Sequence, residues 1–394
     1  MPSKLTSCLA LLAAENRPVR TIDLADISDL SRSQVAEFHA AWHDLSPSRR
    51  LELITVMVEQ AETNIHLIFH AALRVCLTDD DPQVRRLAIE GLWEDERVSL
   101  VPILSGLLAH DPAADVRSAA ATALGRFVLL GVLGDIAEDP ARQAEDALHL
   151  AWERSGEPVS VRRRVLESLA PTDTADLHVL IGDAYYSDNE LMRQSAIFAM
   201  GRSANPRWNK VVLAELNSRE PAIRFEAAEA AGEMAIRAAV QPLIQRLDDP
   251  DKDVREAAAL ALGKIGGPVA RRALEALAAG DDERLAEAAM EALEELLFNS
   301  THLDDALGDS DESASPRSRA ARSTDEDLVF AEDDDDLDDA DEDEDADDWD
   351  WDDREDDGDD WDDDADGFDD PDEEDDSLDD EDEDLNLDDI DLDR

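Results

Sequence analysis

The stretch DPDKDVREAAALALG at residues 249–263 is closely matched by DPAADVRSAAATALG at residues 111–125. Both read as an acidic residue and Pro, then Val-Arg, a small residue in the middle, and Leu-Gly at the end. With substitutions, the pattern occurs seven times, and the copies begin at Val84, Val116, Val161, Met192, Ile223, Val254 and Leu285. Successive copies start 32, 45, 31, 31, 31 and 31 residues apart. This regularity predicts a repeat protein.

The spacing of apolar residues within each copy predicts an α-helix. The apolar positions stand at 0, 4 and 8, which fall on one side of a 3.6-residue helix, whereas a strand would need period two. An acidic residue followed by Pro predicts an N-cap and a first helical residue. This pair occurs at Asp81-Pro82, Asp111-Pro112, Glu220-Pro221 and Asp249-Pro250. Glycines at the far end predict where the helices stop, and they are Gly125, Gly201, Gly232 and Gly263.

A second apolar stretch separates one copy from the next, as at residues 98–109 and 240–247. Each period is therefore predicted to be a pair of helices. One such pair has no core of its own, but seven of them can bury a continuous apolar seam by stacking. The predicted fold class is all-α, an α-α superhelix (solenoid) of about seven helix pairs preceded by N-terminal capping helices.

The repeat resembles a known family, the HEAT-like repeats, in particular the short form named after phycobilisome lyases. Asp-Pro, Val-Arg, Ala and Leu-Gly are matched most fully by residues 111–125 and 249–263, and the resemblance covers about residues 64–298. It implies an armadillo-like helical superhelix. Members of the family include bilin lyases, an iron hydroxylase and many scaffolds, so the resemblance leaves the function open. The hydroxylase uses His-Glu dipeptides, and none of the eight histidines here is followed by Glu.

Charge divides the chain into four predicted regions. Residues 1–63 form an N-terminal helical cap, 64–298 the solenoid, 299–330 a flexible linker and 331–394 an Asp/Glu-rich tail. The net charge is −64, and the last 64 residues hold 43 acidic and 2 basic side chains. Repulsion at this density, with few apolar residues, predicts a disordered tail that binds divalent cations weakly. Neither part has the net positive charge that nucleic-acid binding requires, and no apolar run suggests a membrane span.

The 45-residue interval between the second and third copies is 14 residues longer than the others. The surplus predicts an insertion within residues 127–157, of the kind that bends a solenoid or carries a loop for a partner.

The Arg in each copy is the most regular charged residue, and it stands at Arg85, Arg117, Arg162, Arg193, Arg224 and Arg255. Its recurrence favours a structural role over an anion-binding one. We expect partners among the acidic residues at helix starts, such as Asp81, Asp115, Asp188, Glu220 and Asp253.

Catalytic chemistry has no visible residues in the sequence. His39 with His43, and His66 with His70, have the i, i+4 spacing of metal ligands, but no third ligand accompanies either pair. We therefore predict no catalytic residue, no metal, no cofactor and no enzyme activity. With only Cys8 and Cys76 the chain has no disulfide framework, and a cytoplasmic location is expected.

A candidate docking surface lies in the central repeats. Positions 2, 5 and 6 after the first apolar residue are predicted to face an open groove, where most copies place polar or small side chains. The central copies instead place Ile197, Phe198, Phe225 and Leu260 there, which predicts an apolar stripe that binds a protein partner. The alternative is that these side chains belong to the core.

The tail adds aromatic candidates for partner binding, namely Trp349, Trp351 and Trp361. Acidic segments with interspersed apolar residues can dock on basic or apolar grooves, and the last residues, 385–392, are a candidate for docking on the chain's own Phe198/Phe225 groove. The predicted function is a non-catalytic protein-binding scaffold whose tail modulates solubility or binding. The alternatives are a bilin-lyase-like protein that handles a chromophore, and sequestration of a basic protein by the tail.

Overall fold

The computed structural model describes residues 4–14 and 17–308, with side chains described up to residue 298. Within these ranges the chain forms eighteen α-helices and no strand. The first nine are α1 Lys4–Leu12, α2 Thr21–Leu24, α3 Arg32–His43, α4 Pro47–Thr63, α5 His70–Cys76, α6 Pro82–Gly91, α7 Leu100–His110, α8 Ala114–Leu133 and α9 Glu138–Glu153. The others are α10 Val159–Leu169, α11 Ala175–Tyr185, α12 Glu190–Ser203, α13 Asn209–Glu215, α14 Pro221–Glu233, α15 Val240–Arg246, α16 Lys252–Ile265, α17 Gly267–Ala278 and α18 Glu283–Gly308.

The helices from α5 onward form seven pairs, and the second helix of each pair packs on the second helices of its neighbours. This confirms the all-α solenoid. The apolar residue that opens each copy is almost completely buried, as at Val84, Val161 and Val254. α18 continues to Gly308, past the predicted solenoid boundary at residue 298. The rest of the predicted linker and the whole predicted tail lie outside the described residues.

The N-terminal cap is tied to the first repeat through one buried carboxylate. Asp79 accepts hydrogen bonds from Trp42 Nε1 at 2.6 Å and from Arg50 Nη1 at 2.8 Å. Ser31 caps α3 with a capping box, as the sequence predicts. A continuous apolar helix over residues 64–77 is wrong, because residues 64–69 form a turn before α5 begins.

The recurring glycines do not stop the helices, and that prediction is wrong. Gly125, Gly201, Gly232 and Gly263 all lie inside second helices. Each is placed where the next second helix comes closest. A Cβ added at Gly201 would lie 2.8 Å from the Cα of Ala230, and one at Gly232 would lie 2.9 Å from the Cα of Ala261. The period therefore records close helix packing and not helix termination.

Two of the four predicted acidic-Pro helix starts are also wrong. Pro82 and Pro221 open α6 and α14 as predicted, but α8 and α16 begin later, after the caps Ala113 and Asp251. The carboxylate before each misplaced proline has another role. Asp111 and Asp249 each accept the backbone N–H two residues on, at 2.8 and 3.0 Å, and bind an arginine of the preceding repeat.

These arginines confirm the structural interpretation of the repeated Arg, though with other acidic partners than those expected. Arg85 donates from Nε and Nη2 to Asp111 at 2.7 and 2.9 Å, and Arg224 does the same to Asp249 at 2.9 and 2.7 Å. Arg117 donates to Glu157 at 2.7 Å. Charge-assisted pairs with both members largely buried fix the spacing between repeats, because breaking one leaves an unpaired charge inside.

A second set of bonds anchors each arginine in its own repeat. Nη1 donates to the backbone carbonyl six residues earlier, to Asp79 at 2.6 Å from Arg85 and to Asp249 at 3.0 Å from Arg255. The partner carboxylate thus lies near the turn of the next repeat and not at the start of the same helix. Asp81, Asp115, Asp188, Glu220 and Asp253, expected from the sequence, do not pair with the repeated arginines.

The 14 extra residues of the long interval form helix and not a loop. α8 runs on to Leu133, α9 spans sixteen residues, and the later first helices α13 and α15 span seven each. The insertion falls where it was predicted, but an extended helical hairpin replaces the expected loop. Gly134, with φ of +78°, ends α8 in the left-handed conformation that glycine tolerates.

α8 is the described helix that is long and apolar enough to cross a membrane by length and composition. In the structure it packs on α6, α7, α9 and α10. Its two arginines are engaged, Arg117 with Glu157 and Arg126 with three backbone carbonyls. Contacts with four neighbouring helices account for its apolar composition.

The close approach of second helices can be tested at Gly201. We expect Gly201→Ala to lower the free energy of unfolding by about 1–3 kcal/mol, because the new Cβ collides with the backbone of Ala230. Gly182, inside α11, is the control, since a Cβ there meets nothing within 4 Å. Gly182→Ala should raise stability by about 0.5–1 kcal/mol through helix propensity. Urea unfolding of both variants measures the difference, and equal effects would contradict the packing role.

Candidate functional site: the second-helix face

The exposed side of the second helices α6, α8, α10, α12, α14, α16 and α18 is here called the second-helix face. Its largest cavity, of about 930 Å³, lies across α6, α8 and α10. Ile89, Ala119 and Ala123 supply apolar lining, and Ser118 and Thr122 stand at the groove positions that the sequence predicts. Three arginines and two acidic residues also line it, namely Arg86, Arg126, Arg164, Glu90 and Asp115. A cavity of this size can hold a side-chain cluster of a partner or a small ligand.

Trp93 is the aromatic side chain of this cavity, and it is 55% exposed. Arg126 holds the turn that carries it, donating to the carbonyls of Leu92 at 3.0 Å, Asp95 at 2.8 Å and Trp93 itself. The backbone of the exposed indole is therefore fixed, which lowers the entropy cost of binding against it. Sequence reasoning missed Trp93, because it follows the helix and stands outside the repeat pattern.

The predicted apolar stripe is only partly present. Phe198 is 37% exposed, while Phe225 and Leu260 are partly buried, and Phe225 packs against the core. Ile197 is 1% exposed, so its predicted place in the groove is wrong. Position 5 of the copy points into the helix stack, and only position 6 reaches the surface here. Trp349, Trp351 and Trp361 lie outside the described residues, and their predicted role remains a prediction.

A polar link joins α10 to α12 on this face. Arg163 Nε donates to Ser195 Oγ at 2.8 Å, and Ser195 Oγ donates to Glu167 Oε1 at 2.6 Å. Ser195 is almost completely buried. Its bonding satisfies a hydroxyl that would otherwise be costly to bury.

Acidic side chains gather next to this link, on α14. Burial, with the nearby carboxylates of Glu167 and Glu229, raises the pKa of Glu226 to about 7. Burial, with the charge of Glu233 and against that of Lys264, also raises the pKa of Glu229. The raised pKa values record a negative potential on this part of the face.

Charge is divided along the second-helix face. From α6 to α10, positions 2, 3, 6 and 10 of each copy carry the arginines Arg86, Arg126, Arg163 and Arg164 against Glu90 and Glu167. From α14 to α18 the same positions carry Lys264 alone against seven glutamates, which are Glu226, Glu229, Glu233, Glu256, Glu287, Glu291 and Glu295. One end of the face is thus mildly cationic and the other strongly anionic.

The two histidine pairs are placed differently by the structure. The rings of His39 and His43 stack edge to face with centroids 4.8 Å apart, and burial together with His43 lowers the pKa of His39. Burial lowers the pKa of His70, which opens α5, while His66 lies in the preceding turn. Across residues 4–14 and 17–298, no three His, Cys, Asp or Glu side chains group as metal ligands would.

The acidic cluster can be tested through Glu226. Because its folded pKa is raised from 4.5 to about 7, the fold keeps a proton that the unfolded chain releases, so stability falls as pH rises between those values. Glu226→Gln should match the parent at pH 4 and be more stable above pH 7, by up to about 3 kcal/mol. Denaturant unfolding across this pH range measures it. Glu291→Gln, at an exposed site on α18, is the control and should not change the pH profile.

Comparison with known proteins gives one family. The family of HEAT repeats matches residues 71–170 and 209–294. A stretch of 58 residues is 50% identical to the phycocyanobilin lyase subunit alpha of Picosynechococcus sp., covering 15% of this chain and 22% of that protein. The chain thus aligns with only about a fifth of the length of this relative.

Solved structures with a similar arrangement include human deoxyhypusine hydroxylase, at 20% identity and TM-score 0.32, covering 75% of this chain and 96% of that one. Kap95p bound to RanGDP has 14% identity and TM-score 0.41, covering 79% of this chain and 47% of that one. TM-scores below 0.5 carry no argument about this chain. The family match and the stacked helix pairs agree residue by residue, and the chain is a HEAT-repeat protein.

Proposed function

We propose that this chain is a non-catalytic scaffold that binds a protein partner on its second-helix face. The observation that carries the proposal is the cavity across α6, α8 and α10, in which a fixed and exposed Trp93 stands among arginines. Aromatic and arginine side chains in a partly enclosed surface are the usual centres of protein binding. Phe198, two second helices further on, extends the same face. The acidic tail modulates binding, and the location is cytoplasmic.

Variants of two exposed aromatic residues test this function. Immobilised full-length protein should retain a partner from a cytoplasmic extract, and Trp93→Ala and Phe198→Ser should each lose it, because both remove exposed contact area. Phe225 is left unchanged, since it packs against the core.

The matched control is Leu150→Ser, an equally simple loss of an exposed apolar side chain, on the first helix α9. It should retain the partner. Equal retention by all four proteins would contradict binding on the second-helix face.

A second candidate, handling of a tetrapyrrole chromophore, is favoured by the partial relative that is a phycocyanobilin lyase subunit. The cavity volume of about 930 Å³ suits a ligand of that size. Arg86 and Arg164 on its lining can pair with propionate carboxylates.

Visible absorbance tests this candidate directly. Adding phycocyanobilin to the purified protein should shift the pigment's absorption band, and Arg86→Glu should abolish the shift by repelling a propionate. Lys264→Glu, on α16 of the same face, should leave it intact. An unshifted band with the parent protein removes the candidate.

A further inference from the structure

The acidic end of this chain carries an aromatic segment suited to the cationic part of the second-helix face. Residues 348–361, DWDWDDREDDGDDW, place three indoles among carboxylates. The segment lies outside the described residues. It can offer a partner both ring stacking and negative charge within a few residues.

The cavity across α6, α8 and α10 offers the complementary chemistry. Trp93 presents an exposed indole whose backbone Arg126 holds in place, and Ala119 and Ala123 form an apolar lining beside it. Arg86 and Arg164 are partly exposed at the rim, where each pairs with a glutamate of its own helix. Surface pairs of this kind contribute little to stability and exchange readily with another carboxylate.

The other end of the face is closed to such a segment by its charge. The seven glutamates between α14 and α18 lie next to the point where the chain leaves α18. Carboxylates of the tail are repelled there, most strongly near Glu226, whose carboxyl already has a raised pKa. This argues against docking of residues 385–392 on the Phe198/Phe225 groove, which the sequence suggested, because Phe225 precedes Glu226 directly.

The connection is long enough to reach the cationic end. Five helix steps separate α18 from α8, or about 40–50 Å at the usual spacing of packed helices. The 40 residues between Gly308 and Trp349 have a root-mean-square span of about 35 Å as a flexible coil, and several times that when extended. Repulsion among their own carboxylates lengthens the coil further.

We propose that the segment Trp349–Trp361 docks in the cavity across α6, α8 and α10, stacking an indole against Trp93 and pairing carboxylates with Arg86 and Arg164. The tail is then an internal competitor that a partner must displace. The inference rests on the proposed use of this face for binding, and it adds the chemistry of the occupant. A partner for the same site must itself be acidic and aromatic.

Fluorine NMR of the full-length chain labelled with 5-fluorotryptophan tests the proposal. The seven tryptophans give separate signals, assigned by single Trp→Phe variants. At low salt the signals of Trp349, Trp351 or Trp361 should be broadened and shifted from random-coil values, together with that of Trp93. About 0.5 M NaCl should return the tail signals to narrow random-coil lines, because it screens the carboxylate–arginine attraction.

Charge variants locate the docking site. Arg86→Glu with Arg164→Glu should narrow the tail signals several-fold at low salt, and Trp93→Ala should do the same without changing any charge. Lys264→Glu, at the anionic end, should leave them broad. Narrow random-coil signals from the parent protein at low salt would overturn the proposal, as would equal release by Lys264→Glu. Either result leaves partner capture through Trp93 and Phe198 standing, so the two proposals fail separately.

Discussion

The contact between neighbouring second helices sets the geometry of everything else in this protein. At Gly201, Gly232 and Gly263 the Cα of an alanine in the next helix lies less than 3 Å from where a Cβ would stand. Helices this close share apolar atoms along their whole length, and the cavity, the aromatic residues and the divided charge are all arranged on the face that they create. Because each repeat touches only its neighbours, a shift at one contact is passed to the next.

The buried arginine pairs fix the same spacing by a different force. Arg85 with Asp111 and Arg224 with Asp249 hold two repeats at hydrogen-bond distances, while Nη1 of each arginine is bound within its own repeat. A pair of this kind adds little net stability over an apolar contact, but it is strongly unfavourable when misaligned. It therefore acts on register more than on stability.

The sequence predicted the repeat, its helices and its stacking, because these follow from apolar periodicity. It misjudged the glycines, because a periodic Gly near a helix end has the same sequence pattern whether it ends the helix or meets a neighbour. It misjudged Asp111 and Asp249 for a related reason: their partners lie one repeat away, and local pattern does not show such contacts. Trp93 was missed because a residue that occurs once leaves no trace in a period.

The region between the two family matches shows how much of the repeat pattern the fold requires. Residues 171–208, which hold α11 and α12, are not matched, although the helix pair is complete. Ser187 and Ser218 stand where the partners of Arg162 and Arg193 would lie by the 25-residue spacing of Arg224 and Asp249. Within the described part of the chain, neither arginine has a carboxylate at ion-pair distance.

At the α10–α12 junction the glycine of the pattern is also replaced, by Ala170, thirty-one residues before Gly201. What joins the helices there is Ser195, hydrogen-bonded to Arg163 and Glu167 on the second-helix face. Stacking thus survives the loss of both repeated contacts, because the apolar seam of Val165, Leu169 and Ala196 remains buried. The seam is the requirement for the fold, while the glycines and arginines fix how closely and in what register the pairs stack. The junction without them is held at the surface by polar bonds beside the predicted partner-binding residue Phe198.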